Sequence, residues 1–146
     1  METEKPVNFF FRFEDLRVYH KALDYVCYVN SFVDKLQPSP DLGKHFCCSA
    51  QSIAVNIAEG SGRNKTQFIY YLKMAKSSIR ECIVLTSIAS QLNLIDEKVT
   101  EDSRQFLIEM TKMVGALIAS LQRNIKGSEQ GDEEEMDSLD EDFNKL

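Results

Sequence analysis

Asn56, Glu59 and Arg63 set an amide, a carboxylate and a guanidinium along the otherwise apolar, small-residue segment Asn56-Ile57-Ala58-Glu59-Gly60-Ser61-Gly62-Arg63. Such groups either bind a small polar molecule or hold each other. Glu59 falls near the C-terminal end of a helix, where the macrodipole disfavours an anion, so a partner must hold it. Arg63 supplies a charge-assisted pair, and the free N–H groups of a following helix that begins near Asn64 supply a second anchor for the carboxylate. With Ser78 and Glu81, these residues are expected to form one structural polar network, Asn56, Glu59, Arg63, Ser78 and Glu81, that fixes how the second and third helices meet. Glu59→Ala is then expected to destabilise the protein more than a surface change does.

Other chemistries lack their residues. A carboxylate-bridged di-iron site in a helical bundle needs Glu-x-x-His pairs; Glu59 is followed three residues later by Gly62, and Glu81 by Val84. Gly60-Ser61-Gly62-Arg63 lacks the full phosphate-loop spacing. Cys27, Cys47, Cys48 and Cys82 show no C-x-x-C spacing, and His20 and His45 complete neither a metal quartet nor a nucleophile–base pair, so reduced thiols buried as small hydrophobes are expected. The sequence therefore predicts no enzyme, no cofactor and no metal. Lys65, Lys73, Lys76 and Arg80 recur near one face of the third helix, with Arg63 leading in and Tyr70 beside them, which makes this the best phosphate-facing or partner-facing surface in the chain.

The elements that must position these groups are helical. No alternating strand pattern of useful length occurs, and four helix-period segments follow one another with short breaks. The first is expected from Asp15 to Leu36, stopped by Gln37-Pro38-Ser39-Pro40; its apolar positions cover an arc of about 200°, roughly twice the stripe one core contact needs, which implies a second interface. The second starts with Ser39 as N-cap and Pro40 at the first helical position and ends at Gly60 or Gly62. Asn64 and Gln67 open the third as a capping-box-like pair, and it runs to about Leu92. The fourth is expected from near Asp96 to Lys126, stopped by Gly127. The reading is an all-α, antiparallel up-down-up-down four-helix bundle with a disordered acidic C-terminal tail.

Charge divides the 146 residues unevenly. Residues 1–127 carry 16 Lys and Arg against 14 acids, whereas residues 128–146 carry one Lys against nine acids. Three parts follow: an apolar N-terminal arm over 1–12, the bundle over 13–127, and the tail over 128–146. The arm holds Phe9-Phe10-Phe11, too apolar for water. Within the tail Met136, Leu139, Phe143 and Leu146 share one face of a potential helix. An acidic tail tethered near a basic face is expected to suppress non-specific nucleic-acid binding there. No apolar run is long enough for a membrane span and the N-terminus lacks secretory character, so the cytoplasm is the expected location.

Phe13-Glu14-Asp15-Leu16-Arg17-Val18-Tyr19-His20-Lys21-Ala22 resembles the opening F-E-D-L-x-V-W-x-K-A of the four-helix-bundle proteins found inside intervening sequences of bacterial 23S rRNA genes. The segment from Asn56 to Arg63 and the run Phe68-Ile69-Tyr70-Tyr71-Leu72-Lys73-Met74-Ala75-Lys76-Ser77-Ser78-Ile79-Arg80-Glu81 resemble that family's two other signatures. The resemblance spans about residues 13–125 and implies a bacterial homo-oligomer, a pentamer, without known catalytic activity. A distantly related branch, the accessory protein of diversity-generating retroelements, binds reverse transcriptase and RNA through a basic barrel. This chain has Cys47-Cys48 where the family places a basic pair, and Tyr19 where it places Trp. Two cations fewer weaken phosphate binding. The expected function is thus a non-enzymatic oligomeric adaptor or scaffold docking a protein partner, the alternative being an RNA-binding accessory protein.

Overall fold

In a computed structural model, which describes residues 11–129, the chain forms four helices: α1 (Arg17–Phe32), α2 (Pro40–Ser61), α3 (Lys65–Gln91) and α4 (Glu97–Glu129). Short connections make neighbours antiparallel, and α1 with α2, α2 with α3, α3 with α4 and α4 with α1 are all in contact. This is the expected up-down-up-down bundle. Phe9, Phe10 and the tail positions Met136, Leu139, Phe143 and Leu146 lie outside the described residues. No helix among the described residues is long and apolar enough to cross a membrane.

The first helical stretch is shorter than its periodicity predicts. Arg12–Asp15 is a separate 3-10 turn, Leu16 is extended at φ −73° and ψ 124°, and Val33–Leu36 forms a second 3-10 turn after Phe32 at ψ 0°. Both breaks bring large apolar side chains inward, Leu16 at 5% exposure and Leu36 at 1%. Tightening to 3-10 geometry is a usual way to end a helix before a proline turn. The surplus apolar arc of α1 is partly covered within the chain itself. Tyr19 meets Phe13 edge-on at 5.1 Å, Val26 and Val33 pack at the core margin, and Leu23 stays exposed.

Ser39 holds the N-cap position of α2 and Pro40 follows at the start of the helix, but the Ser39 hydroxyl makes no capping bond; its carbonyl accepts from Leu42 N and Gly43 N instead. Asn64 caps α3 through Oδ1, which accepts from Gln67 N at 2.9 Å. Asp96 does the same for α4, accepting from Val99 N at 2.9 Å. At the other end of α3, Leu94 N donates to Ala89 O and Asn93 N to Ser90 O, with Asn93 at φ 58°. That is a Schellman termination, with asparagine tolerating the left-handed position that glycine commonly fills. Gly127 does not stop α4, which continues through it to Glu129. A glycine inside a helix costs only about 1 kcal/mol relative to alanine, so without a left-handed turn it interrupts nothing.

The core contains one fully buried polar chain. The Tyr25 hydroxyl on α1 and the Ser103 hydroxyl on α4 are 2.9 Å apart, Ser103 is 2.9 Å from Thr86 Oγ1 on α3, and Thr86 donates to Cys82 O at 2.7 Å. Three helices are thereby joined by hydroxyls that each find a partner, as buried polar groups must. Burial drives the Tyr25 phenol well above its ordinary range, and burial followed by the charge of Glu81 pushes the Cys82 thiol up to about 12.

Candidate functional site

The polar network expected across α2 and α3 is three separate groups. Asn56 Nδ2 donates to Ser52 O at 2.9 Å and to Ser52 Oγ at 3.1 Å, and Ser52 Oγ lies 2.9 Å from Ser78 Oγ. Ser78 is thus tied to Asn56 through Ser52, a residue sequence reasoning missed. Glu81 turns away from this set to His45, Oε1 to Nε2 at 2.8 Å, pairing α3 with α2 where both side chains are about half exposed. Glu59 belongs to neither group.

Glu59 Oε1 accepts from Arg63 Nη2 at 2.6 Å. The expected second anchor on the first N–H groups of α3 does not form, because Asn64 occupies that role. The Arg63 guanidinium also stands 5.6 Å from the centroid of Tyr71, and its pKa is raised, first by the hydrogen bond it donates to Glu59. Arg63 is therefore directed toward Tyr71 and leaves the Lys and Arg face of α3. What locks α2 to α3 here is the glycine beside them. A Cβ on Gly60 would sit 2.5 Å from Tyr71 Cβ and 2.8 Å from Phe68 Cδ2, so only hydrogen lets the helices approach this closely.

On α3, at about 100° per residue, Lys65, Lys73, Lys76 and Arg80 fall within an arc of about 80°. None of the four is in an ion pair among the described residues; Lys73 and Arg80 are exposed, and Lys65 and Lys76 half-buried. Beside them runs a feature that the stronger core stripe of the same helix masks in the sequence. Tyr70, Met74, Val84, Ile88 and Leu92 also share an arc of about 80°, reading with the helical period along the length of α3. Their exposures, 62%, 40%, 53%, 40% and 53%, make this an apolar stripe facing outward. The His45–Glu81 pair sits at its middle. Val55, 62% exposed, adds an apolar residue on α2.

Elsewhere the surface is mixed in sign. An open groove of about 640 Å³ between α1 and α4 is lined by Arg17, His20, Lys21, Asp24, Glu109, Lys112 and Met113. Lys21 bridges it to Glu109 and rests 4.9 Å above the Phe106 ring, and that ion pair holds the Glu109 carboxyl below its ordinary range. Among the described residues no group of three or more His, Cys, Asp or Glu is placed to hold a metal ion.

The sequence pattern of the family described as 23S rRNA-intervening sequence protein matches residues 14–116, more than half of the chain. The chain belongs to this family. Within the family match fall α1, α2, α3 and most of α4, together with the Asn56, Gly60 and α3 features described above. No curated protein matches the chain. Among solved structures, one similar fold is a protein described as of unknown function from the S23 ribosomal protein family of Bacteroides thetaiotaomicron. It shares 20% identity at a TM-score of 0.64, with 69% of this chain and 97% of that one covered. At that identity the likeness concerns the bundle.

Proposed function

We propose that this family member is a non-enzymatic, homo-oligomeric helical scaffold of the cytoplasm that docks a protein partner and whose copies associate through the outer face of α3. The observation that carries the reading is the exposed stripe of Tyr70, Met74, Val84, Ile88 and Leu92. Single exposed apolar residues are ordinary, whereas a row of them at helical spacing marks a contact surface. A pentamer is the stoichiometry the family resemblance implies, and repetition around a ring multiplies weak contacts. Charge insertion tests the surface: Val84→Glu with Ile88→Glu should abolish association of the full chain while helix content stays at the wild-type level. Association that survives the pair removes α3 from the account.

A second reading, RNA binding, is favoured by one observation, the four cations Lys65, Lys73, Lys76 and Arg80 with no ion-pair partner among the described residues. Four cations neutralise few phosphates, and Cys47 and Cys48 add none. Affinity for a single-stranded RNA should fall steeply with salt and with Lys73→Glu if this reading holds, and a partner docked on the apolar stripe should show neither effect.

A further inference from the structure

The stretch of α3 from Lys65 to Arg80 combines two properties that the rest of the helix lacks. Tyr70, 62% exposed, and Met74, 40% exposed, have Lys73 and Arg80 on one flank, so an apolar strip lies next to a basic one. Such a surface fits an amphipathic segment that is apolar on one side and acidic around it. This chain carries one. Residues 130–146 contain eight acids and one Lys, with Met136, Leu139, Phe143 and Leu146 at helical spacing.

We propose that residues 130–146 dock in cis on the Tyr70–Met74 strip, their acids facing Lys73 and Arg80. This goes beyond the scaffold reading and does not depend on it.

Reach and direction support the placement. α4 returns antiparallel to α3 and is the longer helix, 33 residues against 27, so its C-terminal end stands beside or just past the first turn of α3. From there, 17 residues span about 25 Å if helical and up to roughly 60 Å if extended. The stretch of α3 from Lys65 to Arg80 is about 22 Å long. A segment that turns back after Glu129 thus covers Tyr70 and Met74 and ends short of Val84. The far half of the stripe, Val84, Ile88 and Leu92, stays open for a neighbouring copy. Tethering raises the local concentration of the acidic segment far above that of a free polyanion, so RNA would have to displace it. Salt weakens the charged part of the contact and leaves the apolar part.

The methionines supply the probes, with Met74 on the strip, Met136 in the proposed occupant and Met110 fully buried in the core. The ¹³C-methyl signals of the full chain are compared with those of full-length Leu139→Asp/Phe143→Asp. The expected result is a shift at Met74, none at Met110, and no change on dilution of the wild type. Full-length Lys73→Glu/Arg80→Glu should shift Met136 in turn while Met110 stays in place. A Met74 signal identical in wild type and tail variant overturns the proposal. So does a Met74 position that reverts on dilution, because the contact would then lie between copies. Light scattering of the same tail variant keeps the two readings apart: the cis contact can fail with the oligomer intact, and the reverse.

Discussion

Tyr25 of α1 and Ser103 of α4 bring their hydroxyls to 2.9 Å at zero exposure, and Thr86 of α3 closes on the same Ser103 oxygen at 2.9 Å. Three helices therefore share one polar point inside the core. Sliding any of them by a turn would strand a hydroxyl in the interior, which costs about 1–3 kcal/mol for each unsatisfied group. The chain fixes helix register by that penalty.

Ser103→Ala is expected to lower stability by about 1–3 kcal/mol, because the Tyr25 hydroxyl loses its partner without gaining water. Tyr25→Phe should cost less, since Ser103 keeps Thr86. The difference between their denaturant midpoints checks the order, and coincident midpoints would mean that water enters the core at this point.

Alkaline pH should unfold the protein through Tyr25 and Cys82. Both have folded-state pKa values raised by burial, Cys82 from 9.0 to about 12. The folded state thus holds these protons more tightly than the unfolded state does. Their contribution is fully present below the unfolded values and is lost as pH climbs from there through the folded values. A midpoint series from neutral pH to pH about 11 should decline above the unfolded thiol range, and Cys82→Ala should flatten its first part. A flat series in the wild type contradicts the burial argument.

Gly60→Ala and Glu59→Ala, neighbours in sequence, should differ sharply. The added methyl would lie 2.5 Å from Tyr71 Cβ, and overpacking of that kind costs about 1–3 kcal/mol or more. Glu59 loses only an exposed pair one helical turn long, so its effect should be slight and should vanish in high salt. This reverses the weight the sequence puts on Glu59. Thermal midpoints of the two variants at low and high salt decide it.

Local signals carried most of the fold. Pro40, Asn64 and Asp96 mark helix starts within a residue, because N-terminal geometry depends on the few residues nearby. The C-terminal signals were poorer guides. Gly127 lies inside α4 while Asn93 takes the left-handed turn, since a glycine permits that turn without compelling it. The polar network was legible only in membership. Asn56 and Ser78 do meet, but through Ser52, and Glu81 goes to His45, because partners on different helices depend on crossing geometry that spacing along one helix does not encode. Tyr25 falls among the apolar positions of the α1 pattern, and nothing near it in sequence announces Ser103. The stripe from Tyr70 to Leu92 was readable from periodicity alone, and was obscured by the stronger core pattern on the same helix.

An outward apolar face on α3 is proposed to hold copies of this chain together, and the molar mass of the full chain in solution reports on that contact. Light scattering across a dilution series should return a multiple of 16.7 kDa, near five, that persists in high salt because apolar contacts carry it. A mass of 16.7 kDa throughout the series would contradict the account.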